Sequence, residues 1–506
     1  MIVSLTQREY NTATRADFHS IAKQMDPAGI ESRNQNATPR SAADAGTYIL
    51  EGKNIMRKTF AVFAACLSIL SAIATAQTAQ EPVPGTFFGM IGHAGVVRSR
   101  PFPSAPFGSL RLWDTHTKWL QIETSHGHYD WELLDRWLSA AEARHLDVLY
   151  TFGGVPTWAS GDTNDKHCGL QFRKAAAENW GPGSCHPPGD LKEDGSGSDQ
   201  SWKDFVTALA KHAHGRIKYW EVWNEPQNLF FWNGTMPQMV RMTQDLRTIV
   251  KGMDPEAMIL SPGTGWGDNK PESGKTDWNA LAWTNAYLAA GGSKYIDIAA
   301  THGYVKGECP SGAWDLDQIP NGIAAFRGVM KKNGIQDLPL WNTEGSWNRI
   351  SKTCTTDPDM QVAFVGQFHL AMWSAGVKRM FWYAWDDPEV GGLWNEQMGP
   401  TPAAKAYAEV YKWMVGATLV APCDKVKTQT SCAFTRPDGS EYLAIWDSAQ
   451  TCSRGNCTTT PVKIDARYVD YLDLAGGKVN IQNNTVLVGM KPIWLEAPAA
   501  GKKRKG

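Results

Sequence analysis

An alternation of short apolar runs with segments of helical periodicity, between residues 84 and 415, is the feature that most constrains the fold. The apolar runs are typical of buried strands, and there are eight: 87–91, 109–113, 147–152, 217–223, 257–261, 296–302, 338–344 and 379–385. Helical spacing appears between them, as at Trp131, Leu134 and Leu138. Strands that alternate with helices form parallel βαβ units. Eight of them predict an α/β fold, a (β/α)₈ TIM barrel.

An open doubly wound sheet is the alternative arrangement for such a chain. That fold usually carries a glycine-rich G-x-G-x-x-G turn after its first strand. The segment 88–92 reads Phe-Gly-Met-Ile-Gly and lacks the motif, which favours the barrel.

The character of the chain changes at residue 416. Helical periodicity stops, and β-rich runs appear at 441–446, 462–464, 485–488 and 493–496. Asp438-Gly439 and Gly476-Gly477 have the composition of hairpin turns. We therefore predict that residues 416–498 form a smaller, β-sandwich-like antiparallel domain, followed by a basic tail at 499–506.

The N-terminal region has the sequence pattern of an export signal. Met56-Arg57-Lys58 precedes an apolar run at 60–73 and the small-residue site Ala74-Thr75-Ala76. This order predicts a signal peptide at 56–76 and a secreted protein, extracellular or periplasmic. Residues 1–55 are interpreted as a mis-called or disordered extension. A signal anchor is the alternative, although the run is shorter than the ~20 residues of a membrane span.

Cysteine usage agrees with export. Of nine cysteines, Cys66 lies within the signal, and the eight that remain are Cys168, Cys185, Cys309, Cys354, Cys423, Cys432, Cys452 and Cys457. An even number in an exported chain predicts disulfides, and we expect sequential pairing. None of the eight shows the C-x-x-C spacing of a zinc site, so we expect no metal and no cofactor. The long polar loop at 161–201 holds the first pair and is placed to wall one side of a cleft.

Two glutamates stand at the ends of the fourth and seventh predicted strands. Glu225 lies in Trp223-Asn224-Glu225-Pro226, and Glu344 ends Trp341-Asn342-Thr343-Glu344. The carboxyl ends of barrel strands form the catalytic face of this fold. Two carboxyl groups about 5–5.5 Å apart are what a retaining glycosidase requires. The pair therefore predicts Glu225 as acid/base and Glu344 as nucleophile, with Asn224 bonding the sugar 2-hydroxyl.

Other polar and aromatic residues follow the remaining strand ends, and those we expect to contact a sugar are Trp113, Asp114, Trp158, His302, Tyr304 and Trp385. A structural role is the alternative for each. Glu221 lies deeper in its strand than Glu225, which favours a structural ion pair. His126-Gly127-His128 resembles a metal-binding H-x-H but is interpreted as a surface loop. Asp386 and Asp387 fit either sugar contacts or a helix start.

The composition limits the classes of binding partner that we expect for this chain. The formal net charge of −1 over 506 residues gives no reason to expect nucleic acid or an anionic membrane as partner. The 23 tryptophans fit both a large core and a groove that stacks sugar rings. The leading hypothesis is a polysaccharide-degrading hydrolase, endo-acting because of these tryptophans. The alternatives are an exo-acting β-xylosidase-like enzyme, a non-catalytic carbohydrate-binding barrel and a metal-dependent hydrolase.

Together these motifs resemble the retaining glycoside hydrolases of clan A, most closely family 39. The shared motifs are Arg111-Leu112-Trp113-Asp114, Gly127/Tyr129-Asp130-Trp131, Pro156-Thr157-Trp158, Asn224-Glu225-Pro226, His302-Gly303-Tyr304, Asn342-Thr343-Glu344 and Trp385. The resemblance implies the same two catalytic glutamates. It also implies that Asn224, His302, Tyr304 and Trp385 contact the sugar whose bond is cleaved. β-Xylosidase, iduronidase-like and exopolysaccharide-cleaving activities all remain open.

Overall fold

A computed structural model of the chain describes residues 81–96, 101–168, 180–266, 279–305, 307–308, 313–314, 316–347, 357–453 and 455–499. These residues lie in one compact unit, Gln77–Gly506. The predicted N-terminal extension, the signal peptide, the Cys309–Cys354 pair and the tail from residue 500 lie outside the described residues.

Eight parallel strands form the central sheet: β1 (Phe88–Ile91), β2 (Ser109–Leu112), β3 (Asp147–Thr151), β4 (Tyr219–Glu221), β5 (Met258–Leu260), β6 (Ala299–His302), β7 (Leu340–Gly345) and β8 (Met380–Trp382). Their order is β5-β4-β3-β2-β1-β8-β7-β6, and the short strand Thr264–Gly265 extends it beside β6. A parallel bridge between Leu260 and Ile298 joins β5 to the entry of β6. This closes the ring, so the predicted TIM barrel is confirmed.

The strands are apolar runs because both faces of the sheet are covered. All residues of β1, β2, β6, β7 and β8 are buried, as expected for parallel strands between a filled barrel and its helices. The observed strands fall within the predicted runs, apart from a one-residue extension of β7. β4, β5, β6 and β8 are each at least two residues shorter than predicted.

Within the described residues, seven helices of 10 or more residues follow strands β2 to β8 in turn: α1 (Glu132–Glu142), α2 (Gln200–His212), α3 (Met236–Met253), α4 (Ala280–Ala289), α5 (Gln318–Lys332), α6 (Pro358–Ser374) and α7 (Pro402–Met414). A one-turn helix, Trp119–Ile122, precedes α1. Local sequence sets their starts. Thr235 and Thr401 accept a backbone hydrogen bond at the N-termini of α3 and α7, which satisfies an otherwise free N–H group.

The connection from β1 to β2 departs from the predicted alternation, since its described residues, 92–96 and 101–108, contain no helix. Pro101, Pro103 and Pro106 lie in this segment. Proline inside a helix removes a backbone hydrogen bond and clashes with the preceding turn, so three prolines in six residues exclude a helix there.

The C-terminal region is antiparallel, as predicted. Its longer strands are β9 (Gln429–Thr435), β10 (Glu441–Asp447), β11 (Thr459–Lys463), β12 (Asp470–Leu472), β13 (Thr485–Gly489) and β14 (Ile493–Ala497). One sheet has the order Thr418–Leu419, β9, β10, β14, β12, Lys478–Asn480, with Asp424–Val426 also on β9, and β11 pairs with β13 separately. Side chains from both sheets share one apolar cluster, which gives the predicted sandwich-like packing.

This β-rich region shares a core with the barrel. Trp413, at the end of α7, stacks on Trp494 of β14 with ring centroids 5.8 Å apart. Trp494 also contacts Phe434 and Tyr442 of the same sheet. Gln367 of α6 donates a hydrogen bond to the backbone carbonyl of Met490 at 2.5 Å. The sheet is therefore packed against the outer face of α6 and α7.

Three of the predicted sequential disulfides are present: Cys168–Cys185, Cys423–Cys432 and Cys452–Cys457. The first ties the loop after β3, whose described part is more ordered than predicted, with bridges between Ser160 and Pro188 and between Leu191 and Gly197. Disulfides of this kind are consistent with a secreted or periplasmic protein. Within the described residues, no helix has the length and apolar character needed to cross a membrane.

Candidate active site

A buried arginine in β2 organises the carboxyl end of the barrel. Arg111 has no exposed surface, and its guanidinium contacts several side chains, including the Thr151 hydroxyl at 3.0 Å from Nε. Nε bonds Glu221 at 2.9 Å, Nη1 bonds Glu344 at 2.8 Å and Nη2 bonds the Asn224 amide oxygen at 2.9 Å. Because an arginine side chain carries only donors in a fixed planar fork, these bonds fix the positions of three acceptors from strands β4 and β7.

Glu221 is the structural partner of this arginine. Its side chain is fully buried and lies 2.7 Å from the Nη2 atom of Arg111. The hydroxyl groups of Thr151 and Thr343 donate to its two oxygens at 2.7 and 2.6 Å. A buried charge requires this pairing and these hydrogen bonds to be tolerated. The ion pair predicted for Glu221 is confirmed.

Glu225 is brought into the site by a break in the backbone after β4. Its φ angle is +44°, the left-handed region that a residue with a side chain rarely occupies. Its N–H donates to the Gly263 carbonyl at 2.8 Å, and Asn224 bridges the same glycine. Simple strand alternation would place Asn224 and Glu225 on opposite faces. The break allows both side chains to enter one site.

Two neighbours hold the Glu225 carboxylate. His302 Nδ1 lies 2.9 Å from Oε1, and Asn228 Nδ2 donates to Oε2 at 2.9 Å. The Nε2 atom of His302 lies 3.5 Å from an Arg111 nitrogen. A carboxylate oxygen accepts, so the hydrogen between His302 and Glu225 lies on Nδ1. His302 therefore donates to Glu225.

Glu344 is brought into the barrel by an irregularity in β7. The pairing of β7 with β6 shifts register between Asn342 and Glu344, as at a β-bulge, which redirects side chains. Thr343 therefore bonds buried Glu221 while its neighbour Glu344 also faces the site. Tyr304 donates to Glu344 Oε1 at 2.6 Å, and Arg111 donates to Oε2.

The two glutamates face one another across the barrel mouth. One carboxylate oxygen of Glu225, one of Glu344 and one ring nitrogen of His302 all lie within 4.8 Å of each other. Carboxylate oxygens this close are compatible with the about 5–5.5 Å separation of carboxyl groups in retaining glycosidases and closer than the ~6.5–9.5 Å of inverting ones. The Glu225 side chain is 20% exposed and that of Glu344 is 9% exposed, so Glu225 is the more accessible of the two.

Burial and charge act on Glu344 in opposite directions. The pKa of Glu344 is raised above its usual value, because burial, together with the nearby charge of Glu225, outweighs the charges of His302 and Arg111 and the Tyr304 hydrogen bond, which lower it. Burial, followed by the nearby charge of Glu344, raises the pKa of Tyr304 well above its usual value. Tyr304 is therefore a neutral hydrogen-bond donor, which favours the ionised form of Glu344.

The other predicted contacts form a second group beside this cluster. Asp114 accepts hydrogen bonds from Tyr383 at 2.7 Å and from Lys118 at 3.0 Å. Lys118 Nζ also lies 4.4 Å from the centre of the Trp113 ring. The Tyr383 ring is 6.5 Å from that of Tyr304. Asp114 is thereby connected, through Tyr383 and Tyr304, to Glu344.

The two remaining predicted tryptophans are placed differently. Trp385 is buried, with an indole nitrogen that has no hydrogen-bond partner, and its backbone N–H donates to Ile91 at the end of β1. Trp158 donates to the Glu123 carbonyl at 3.0 Å and packs against Trp119 and His126. None of the contacts described for Trp158 involves the glutamate cluster.

The structure also shows where the residues lie whose roles the sequence left open. His126-Gly127-His128 is exposed, which confirms the surface-loop interpretation. Asp386 accepts from the backbone N–H groups of His93 and Ala94 at 2.8 and 3.0 Å. Asp387 accepts from the backbone of the turn that follows it. Both carboxylates therefore hold backbone groups.

Several participants were not predicted as site residues, and they include Arg111, His93, Tyr383 and Asn228. Arg111 was noted only as part of a motif, although an arginine inside an otherwise apolar strand indicates a buried ion pair. His93 follows β1, its ring lies 5.1 Å from that of Tyr383, and its Nε2 atom is buried without a partner. His93 and Tyr383 both follow strand ends, which is the signal by which they could have been found.

The fold is shared with solved glycoside hydrolases. A family 39 enzyme from Bacteroides cellulosilyticus WH2 has 18% identity and a TM-score of 0.56, over 82% of this chain and 81% of that one. A family 39 β-xylosidase from Caulobacter crescentus has 15% identity and a TM-score of 0.55, over 83% and 98%. A family 30 endoxylanase from Clostridium papyrosolvens has 12% identity and a TM-score of 0.50, over 84% and 98%.

Protein-family models and curated protein sequences gave no match to this chain. The similarity is thus one of structure. The sequence-based resemblance to clan A glycoside hydrolases, and to family 39 among them, is confirmed at the level of the fold.

Asp114 provides a test of the electrostatics of the site. Burial alone would raise its pKa, but Lys118, His93 and the Tyr383 hydrogen bond lower the pKa of Asp114 to about 2. The folded-state value is below the ordinary ~3.9, so the ionised carboxylate stabilises the fold above that pH and loses this effect as pH falls towards 2. We expect Asp114→Asn to lower the free energy of unfolding by about 1–2 kcal/mol near pH 6, and by progressively less below about pH 4.

Urea unfolding of both proteins across this pH range measures the difference. The exposed Glu256→Gln is the matched control and should behave as the parent protein at each pH. A difference between Asp114→Asn and the parent that stayed constant down to about pH 2.5 would contradict the assignment.

Proposed function

We propose that the protein is a retaining glycoside hydrolase in which Glu344 is the nucleophile and Glu225 the acid/base. The observation that carries this proposal is the approach of the two carboxylates to within 4.8 Å at the carboxyl end of a (β/α)₈ barrel. That is the face on which barrel enzymes carry their catalytic groups, and the spacing suits attack on one sugar from both sides.

Glu344 is suited to attack the anomeric carbon. Arg111 and Tyr304 each donate to one of its oxygens, which holds the carboxylate in one orientation and favours its charge. A bond forms between a Glu344 oxygen and the anomeric carbon as the glycosidic bond breaks. The product of this step is a covalent glycosyl ester on Glu344, which water then cleaves.

Glu225 is suited to move the proton. In the first step its carboxyl group donates a proton to the departing glycosidic oxygen, and in the second its carboxylate accepts one from the attacking water. In this structure both oxygens accept hydrogen bonds, from His302 and Asn228. This arrangement suits the ionised, proton-accepting form. His302 and Asn228 are positioning residues for it.

Nearby polar groups are placed to bind hydroxyl groups. Arg111 can only donate, so the Asn224 amide must present its oxygen to Arg111. Its Nδ2 group is then free to donate to a 2-hydroxyl, a contact that strengthens in the transition state. Two buried atoms without partners, Nε2 of His93 and Nε1 of Trp385, offer further contacts. With Asp114 they suit a polyhydroxylated ligand.

Replacement of either glutamate tests the assignment. We expect Glu344→Gln to abolish turnover, because no group remains to form the ester. Glu225→Gln should slow hydrolysis of natural glycosides by about 10²–10⁴-fold. It should slow cleavage of aryl glycosides much less, since an acidic phenol leaves without protonation. Initial rates on aryl xylosides, aryl glucosides and xylan measure this.

The exposed Glu256→Gln supplies the control, with the same chemical change away from the site. Glu225→Gln with parental activity on natural substrate would remove Glu225 from the mechanism. Loss of activity in a chelator, with both variants still active, would favour a metal-dependent hydrolase. Binding of polysaccharide without turnover by the parent protein would favour a non-catalytic barrel.

The carboxylate spacing also predicts the stereochemistry. Two inversions, one at formation and one at hydrolysis of the glycosyl ester, leave the anomeric configuration unchanged. We expect the first product anomer seen by proton NMR to have the configuration of the substrate. An inverted first product would exclude a Glu344 ester.

We propose endo action on a polysaccharide, with exo action as the alternative. Trp180, a partly exposed aromatic residue of the loop after β3, supports an extended cleft; its ring lies 6.2 Å from that of buried Trp113, which lies 5.9 Å from buried Phe231. We expect oligosaccharides as the earliest products from xylan and other β-linked polysaccharides. Chromatography of the first time points measures them, and monosaccharide alone would support the exo-acting, β-xylosidase-like alternative.

We also propose that the protein is exported and that its mature chain begins near Gln77. The basic, apolar and Ala-Thr-Ala segments of 56–76 support this proposal, and the three disulfides are consistent with it. N-terminal sequencing of protein from the culture medium or periplasm is expected to start close to Gln77. A start before Met56 would contradict the predicted signal peptide.

A further inference from the structure

The ends of β8, β1 and β2 carry a group of polar side chains beside the catalytic pair. Asp114 follows β2, and it accepts hydrogen bonds from Tyr383, after β8, at 2.7 Å and from Lys118 at 3.0 Å. The ring of His93, after β1, lies 5.1 Å from that of Tyr383. We name these four residues the β8–β2 cluster.

The proposed mechanism places one sugar beside this cluster. The leaving group departs next to Glu225, whereas the glycone, the sugar that becomes bonded to Glu344, lies over Glu344. Tyr304 donates to Glu344, and its ring is 6.5 Å from that of Tyr383. Burial, then the charges of Asp114 and Glu344, raise the pKa of Tyr383 well above its usual value. Tyr383 is therefore a neutral donor close to both carboxylates, and the glycone is within reach of the cluster.

The charged side chains of the site differ in how far they reach the cleft. The two basic ones are buried, with 0% of the Arg111 side chain and 3% of the Lys118 side chain exposed. The acidic ones are more accessible: 32% of the Asp114 side chain is exposed, 20% of Glu225 and 9% of Glu344. A ligand that enters between these residues therefore meets carboxylates, while the positive charges lie behind them.

Asp114 is the most exposed of the three carboxylates and has no part in the proposed bond cleavage. It lies deep within the protein although its side chain is partly exposed, which indicates that it opens into a cleft. Its pKa of about 2 keeps the carboxyl group ionised near neutral pH. A carboxylate has about four lone-pair sites, so both oxygens can accept further hydrogen bonds from sugar hydroxyl groups. A sugar carboxylate has no hydrogen to donate and carries a like charge.

We propose that Asp114 makes the glycone site selective for neutral sugars and excludes hexuronic acids. This inference rests on the proposed function, because it requires the glycone to lie over Glu344. Hydroxyl groups of a neutral pentose or hexose donate to Asp114, whereas the carboxylate of a uronic acid is repelled, and a repulsive element of this kind is an effective source of specificity. Of the activities that the family resemblance left open, the iduronidase-like one is thereby disfavoured.

Selectivity is measured as kcat/KM of the full mature chain near pH 7 on four aryl β-glycosides: the xyloside, the glucoside, the glucuronide and the methyl ester of the glucuronide. We expect the better neutral glycoside to exceed the glucuronide by about 100-fold or more. The methyl ester keeps the bulk of the acid without its charge, and it should be cleaved about 10-fold or more faster than the acid. Asp114→Asn should reduce the neutral-to-glucuronide ratio by about 10-fold or more, whatever its loss of overall rate.

Asp337→Asn is the matched control. It makes the same charge change at an exposed residue that precedes β7, at the opposite end of the barrel strands, and it should keep the parental ratio. Equal cleavage of glucuronide and neutral glycoside by the parent would overturn the proposal. A methyl ester rejected as strongly as the acid would show exclusion by size, and this comparison needs no variant. An unchanged ratio in Asp114→Asn would assign the selectivity to another group. Absence of turnover on every glycoside would instead refute the proposed function, and this inference with it.

Discussion

Arg111 of β2 connects side chains from β4 and β7 that would otherwise have no common partner. Its guanidinium is shielded from water and bonds side chains that arrive from β4 and β7. Removing one partner of a buried ion pair costs about 3–5 kcal/mol because the other charge is left uncompensated. The same bonds orient Asn224 and Glu344. The fold of the barrel interior and the geometry of the catalytic pair thus depend on one set of contacts.

Much of this architecture follows from the sequence alone. All eight strands overlap the predicted runs, because strands buried on both faces are mostly apolar. The two glutamates were found because the barrel brings strand ends to one face. The lack of a helix in the described residues between β1 and β2 could also have been predicted, from Pro101, Pro103 and Pro106, but the general alternation of strands and helices concealed it.

Local backbone geometry was much harder to anticipate. The left-handed φ of Glu225 and the register shift before Glu344 arise from tertiary pairing with Gly263 and β6, and neither leaves a regular pattern in the sequence. Periodicity assigns each residue of a strand to one face. A prediction from periodicity is therefore wrong where the chain departs from the regular strand. There, neighbouring side chains such as those of Thr343 and Glu344 can enter the same site.

The stack of Trp413 on Trp494 has a consequence for how the chain can be divided. A tryptophan buries about 150–250 Å², so exposing each of these rings would forfeit about 5 kcal/mol at about 25 cal/mol per Å². That is comparable with the whole stability of many domains. The sheet thus covers part of the outer surface of the barrel. A chain truncated at residue 415 would expose an aromatic surface and would be prone to aggregation.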